Sequence, residues 1–172
     1  MEVAQQKLVM YDKNGEQHYD IISAFIKSIR GSDPNAAIYW LAVMLEAGED
    51  IKFIARRLLI LAAEDIGNAN PTALVIANEC FQAVNVIGMP EAEIVLAQAV
   101  TYLAASAKSN ASYSAIKRAR AFVKQNGAGA VPLHLRNAPT KLMKNLGYGK
   151  QYQYAHDFEG NFSEQEYLPD SL

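Results

Sequence analysis

The sequence is as informative for what it lacks as for what it contains. It has one cysteine, Cys80, in 172 residues. A lone cysteine excludes an internal disulfide framework and a cysteine-based zinc site, and it fits a reducing compartment. No window approaches 18 uninterrupted apolar residues, so no membrane-spanning helix is expected. The first ten residues, MEVAQQKLVM, lack the basic run and apolar stretch of a signal peptide. There is no Walker A sequence. The nearest approach, Gly147-Tyr148-Gly149-Lys150-Gln151, has neither the spacing nor the Ser or Thr that would hold magnesium, and it reads as a helix stop and turn. No G-x-G-x-x-G follows a strand. The three histidines, His18, His134 and His156, are far apart and form no H-E-x-x-H, so nothing local supplies a metal site. Disorder is also excluded, because 51% of the residues are hydrophobic and 20% are charged.

Charge of one sign is missing where it would be expected. Residues 94–156 hold nine bases and no acid. Residues 1–93 carry a net −6, residues 157–172 carry −5, and the whole chain carries −2. Such a stretch points to a positive face that meets phosphate or an acidic protein surface. Within it Lys117, Arg118, Arg120 and Lys124 fall on one expected helix, with Lys108 just before. The spacing of Lys117, Arg120 and Lys124 places those three on one face. Three readings stand: contact with DNA phosphates, pairing with the acids of 157–170, or a solvated face.

What is present reads as a series of helices. Ile22, Phe25, Ile26 and Ile29 follow i, i+3, i+4, i+7, with Gly31 closing the helix. Ser32-Asp33-Pro34 restarts the chain with a cap and a proline at the first helical position. Ile38, Leu41, Met44 and Leu45 make the second stripe, and Ile51, Ile54, Leu58 and Leu61 the third, ending near Gly67. A fourth helix opens at Asn70-Pro71 and turns Leu74, Ala77, Phe81 and Val84 inward. A fifth opens at Pro90-Glu91, with Ile94, Ala97 and Leu103 inward. Ser109 or Asn110 caps a sixth, with Tyr113, Ile116, Ala119 and Val123 on one face. Residues 127–139 form a Gly/Pro loop, and Thr140–Leu146 a short last helix. No sustained alternation of β-branched residues appears, so the expectation is an all-α bundle of about six to seven helices. The division expected is a lead-in over 1–18, a helical domain over 19–147 and an irregular extension over 148–172. That extension is rich in rings (Tyr148, Tyr152, Tyr154, Phe158, Phe162, Tyr167), which are expected to pack on the helical domain or on a neighbouring subunit.

Other constellations read as structural. Adjacent carboxylates Glu64-Asp65 project about 100° apart on a helix, so they share no proton. They are expected to engage Arg56, Arg57 or a partner chain. Ser114-Ala115-Ile116-Lys117 matches S-x-x-K without a K-T-G partner. Cys80 reads as a small core residue.

Long runs carry a resemblance. They include YDKNGEQHY at 11–19, SAFIKSIRGSDPNAA at 23–37, GEDIKFIARRLLILAAEDIGNANP at 48–71 and YLAASAKSNASY at 102–113, and they continue in GYGKQYQYAHD at 147–157 and QEYLPD at 165–170. On these residues the chain resembles the C-terminal region of the replication-associated recombination protein A family, also called MgsA, bacterial relatives of the Werner-helicase-interacting protein. The resemblance implies a parent AAA+ ATPase similar to clamp loaders, acting with replication proteins at stalled forks and in recombination. ATP and magnesium would belong to a nucleotide-binding core N-terminal to Met1, leaving this chain with no cofactor and no catalysis. It also implies a fold similar to the clamp-loader collar and assembly into a homotetramer, in a bacterial cytoplasm beside the nucleoid. The subunit-contact candidates are then Tyr148, Tyr152, Tyr154 and Phe158. The candidates for DNA or another partner are Lys108, Lys117, Arg118, Arg120 and Lys124.

Overall fold

Capping side chains at Asp33 and Asp50 start α2 and α3 where expected. The computed structural model describes residues 15–172, so most of the expected lead-in lies outside the described residues. Seven α-helices run through it: α1 Glu16–Arg30, α2 Pro34–Glu46, α3 Ile51–Leu61, α4 Thr72–Ile87, α5 Ala92–Ala105, α6 Ala111–Asn126 and α7 Lys141–Asn145. No strand occurs among the described residues, and the all-α expectation holds. Asp33 accepts from the Ala36 amide at 2.9 Å ahead of Pro34, and Asp50 accepts from Lys52 at 2.9 Å, so both are true N-caps. The positive φ that ends α1 falls on Ser32 (63°), one residue beyond Gly31.

The chain divides into two compact units, 15–118 and 119–172 among the described residues, with the break inside α6. The first unit holds the hydrophobic core. Its α5 packs against α1, α2, α3 and α4. Four neighbours can approach one helix only where its side chains are small, and α5 buries Ala92, Ala99 and Ala104 beside Leu96, Val100 and Leu103. Two expected faces are therefore rotated. On α4 the buried residues are Ala73, Ala77, Cys80 and Val84, while Leu74 is exposed. On α5, Ile94 is 68% exposed. In both helices close approach selects the small residues over the large ones next to them. Cys80 is core, as expected.

Past Leu61 the chain widens into a π-turn over Ala62–Ile66, then a 3-10 turn over Gly67–Ala69. Ile66 at the end of the π-turn is fully buried. Gly67 has φ +50°, and a Cβ there would stand 3.2 Å from the Ser109 carbonyl, so this position needs glycine on both counts.

The second unit is held mostly by polar bonds. The Arg136 guanidinium donates to the Val131 carbonyl at 2.7 Å and the Tyr148 hydroxyl at 3.2 Å, and it lies over the Tyr148 ring. Gln165 pairs with the Gln153 backbone in both directions, at 2.9 and 3.0 Å. His134 Nε2 donates to the Glu166 carbonyl at 2.8 Å. Thr140 caps α7.

Candidate subunit-contact surface

Near the end of α3 the π-turn presents Asp65 to α1. Arg30 Nε donates to Asp65 Oδ1 at 2.8 Å, and Glu64 lies 4.0 Å from the same guanidinium. This hydrogen bond holds the Arg30 guanidinium above its ordinary pKa. The carboxylates expected to meet Arg56 or Arg57 thus meet Arg30. The extra residue of the π-turn is what swings them there, and short-range spacing does not reveal it. The Asp65 carbonyl also accepts from the Ser109 amide at 2.8 Å, and Asn68 Nδ2 donates to Ser112 Oγ at 3.4 Å, so this turn fixes where α6 begins. Asn70, read as a cap, bonds Tyr102 and Ser106 with its side chain instead.

The five basic candidates do not behave alike. Lys108 is spent within the fold: its ammonium donates to the Ala104 and Ser106 carbonyls at 3.0 and 2.6 Å and to Ser32 Oγ at 3.1 Å. Burial lowers its pKa, and the Asp65 charge opposes that. Lys117 donates to the Tyr113 hydroxyl at 3.0 Å and stands over that ring, a contact that raises its pKa. Arg118, Arg120 and Lys124 are exposed on α6. The ring candidates diverge similarly. Tyr148 is held by Arg136, whereas Tyr152, Tyr154 and Phe158 are 48%, 54% and 41% exposed. Tyr152 lines a recess of about 430 Å³ with His134, Arg136 and Tyr167.

Two apolar surfaces and one mixed stripe are uncovered. None of the 16 residues of α6 is buried, and the residues expected on one of its faces, Tyr113, Ile116, Ala119 and Val123, are open to solvent. On α4, Val75, Glu79, Gln82 and Val86 make an outward stripe at i, i+4, i+7 and i+11. Between α2 and α5 runs an apolar groove of about 410 Å³, lined by Ile38, Leu41, Leu45, Ile94 and Ala97, with Glu93 as its charged lining residue. Of these surfaces, the α6 face alone is apparent from sequence periodicity. Between Arg57 and Lys108 the chain has five acids and no base, and one of those acids, Glu93, lines the groove.

Residues 31–172 match the family described as MgsA AAA+ ATPase C terminal, and residues 1–30 match the AAA C-terminal domain family. The chain belongs to the MgsA AAA+ ATPase C-terminal family. This MgsA C-terminal chain is 51% identical over 171 residues to the replication-associated recombination protein A of Coxiella burnetii, covering 99% of itself and 39% of that protein. It is 45% identical over 172 residues to the protein of that name from Escherichia coli K12, covering 99% and 38%. It is 44% identical over 169 residues to the ATPase WRNIP1 of Dictyostelium discoideum, covering 98% and 19%. The MgsA C-terminal chain thus spans about two fifths of its bacterial relatives' length. No helix among its described residues is long and apolar enough to cross a membrane.

Proposed function

We propose that this chain is the assembly module of an AAA+ ATPase acting in replication-associated recombination in the cytoplasm, joining identical subunits into a homotetramer. ATP, magnesium and hydrolysis belong in this reading to a nucleotide-binding core elsewhere in the protein. One observation carries it: α6 is a 16-residue helix with an apolar stripe and not one buried residue. An isolated helix of that length is marginal in water, and helices in proteins draw most of their stability from a packed face. The names of the relatives, replication-associated recombination protein A, support the setting in replication and recombination. Light scattering coupled to size exclusion tests the assembly. The expected mass is about four times the 18.9 kDa of one chain, and a single-chain mass at every concentration refutes it.

A second reading, contact with DNA, is favoured by Arg118, Arg120 and Lys124, which are exposed and form no ion pair among the described residues. Titration with single-stranded and forked DNA at two salt concentrations tests it. Each phosphate neutralised steepens the log–log salt dependence by about 0.9 for duplex and about 0.7 for single strands, and binding indifferent to salt eliminates the reading.

A further inference from the structure

We propose that α6 of one copy seats in the α2–α5 groove of a neighbouring copy. The inference rests on the assembly reading above and names the two surfaces that carry it. The groove's Ile94 is 11 residues before Ala105, the last of α5, a distance of about 16 Å along the helix. The Ser109 amide, held by the Asp65 carbonyl, starts α6 from that far end, at the π-turn.

The two surfaces match in shape and in sign. A helix docks in a groove through anchors at i, i+3 and i+7, and α6 offers Ile116, Ala119 and Val123 at that spacing. Ile116 is 57% exposed and Val123 50%. Ala119 between them lets the backbones approach. Lys117, Arg120 and Lys124 lie within about 100° of Ile116 on one side of this stripe. The groove presents Glu93, with Glu91 exposed just before it. The whole of 58–107 bears only acidic charges, and the whole of 108–156 only basic ones. Docking therefore covers apolar surface on both copies while bringing opposite charges together at the rim, which favours encounter and register. A phosphate backbone fits the pair of surfaces less well, because it leaves the apolar stripe wet and finds Glu93 repulsive.

Groove and helix are different surfaces, so every copy offers one of each. The contact is head-to-tail, and a ring of identical copies closes where the rotation permits.

The experiment uses the whole 172-residue chain and sedimentation equilibrium over a range of concentrations. Glu91→Lys with Glu93→Lys, and separately Lys117→Glu with Lys124→Glu, should each weaken association by about tenfold or more. The four changes together should recover most of that loss. All four positions are exposed, and unchanged helicity by circular dichroism shows that each variant folds. A second readout does not depend on charge. Ile94→Cys mixed with Val123→Cys should give a disulfide-linked pair under mild oxidation, while neither alone should, Cys80 being buried. A wild-type chain that never associates defeats the assembly reading and this proposal with it. Association that ignores both charge reversals, or a link from Ile94→Cys alone, overturns this placement and leaves assembly standing. Loss of DNA binding in the Lys117→Glu, Lys124→Glu variant at unchanged mass assigns α6 to DNA and also overturns it.

Discussion

Replacing Arg30 by Met should cost about 2 kcal/mol, a figure set between two limits. Asp65 has a side chain only 8% exposed, and its Oδ2 is buried with no hydrogen-bond partner among the described residues. The carboxylate therefore depends on the 2.8 Å bond from Arg30. Removing one partner of a fully buried pair costs about 3–5 kcal/mol, since the other charge is left without compensation. Arg30, however, is 45% exposed, so water reaches the site once the guanidinium is gone. That moves the expectation to the range of one charge-assisted hydrogen bond, about 1.5–3 kcal/mol. For a chain of this length about 2 kcal/mol lowers the melting temperature by about 4–8 °C. Trp40, the one tryptophan, packs against the core from α2, so its fluorescence reports the melting of this unit. Asp65→Asn and the double variant complete a cycle, in which coupling of about 1 kcal/mol or more is expected. An Arg30→Met melt within about 0.5 kcal/mol of the parent, or strictly additive single effects, refutes the reasoning.

Two further outcomes follow from local geometry. A Cβ at Gly129 would stand 2.6 Å from both Cβ and Cγ of Pro169, a ring that cannot swing aside. Gly129→Ala should thus loosen the 163–172 segment by about 1–3 kcal/mol, seen as faster hydrogen exchange there, while the Trp40 melt moves by less than about 0.5 kcal/mol. Burial pushes the Cys80 thiol up to about 11 from 9.0, so the folded chain favours the protonated form. Its stabilising contribution is complete below the unfolded value of 9.0 and is lost as pH rises toward about 11. Melts at pH 8 and 10.5 should show that slope in the parent and not in Cys80→Ala, and a thiol reagent at pH 8 should react only as fast as the chain opens.

Where helices begin was legible, and which way two of them face was not. Asp33-Pro34 and Asp50 announce themselves because a cap is a local event: a side-chain oxygen meets an amide two or three residues on. Burial on α4 and α5 is not local. The stripe Ala73, Ala77, Cys80, Val84 has as good a helical period as Leu74, Ala77, Phe81, Val84, and an eye weighted toward large side chains chooses the second. The bundle chooses the first, because α4 lies between α3 and α5 and α5 among four neighbours. Small residues at helical spacing were the available signal.

The surface is legible in its charge, and what covers it is not. Helical spacing places Lys117, Arg120 and Lys124 on one face of α6 and Ile116, Ala119 and Val123 on another, but it leaves open what covers the apolar one. Periodicity shows that a face is apolar and says nothing of which molecule covers it. The complementary groove was harder to see, because α2 and α5 each read as ordinary core helices. Its outer residues become a groove only when α5 turns its alanines inward and leaves Ile94 outside. The same close packing that rotated the expected face of α5 therefore created the surface proposed to receive α6. Ile94→Ala tests that link in a single variant. At a position 68% exposed it should leave the Trp40 melt within about 0.5 kcal/mol, yet weaken association measurably. A variant that instead lost stability and kept its mass would return Ile94 to the core and close the groove as a candidate.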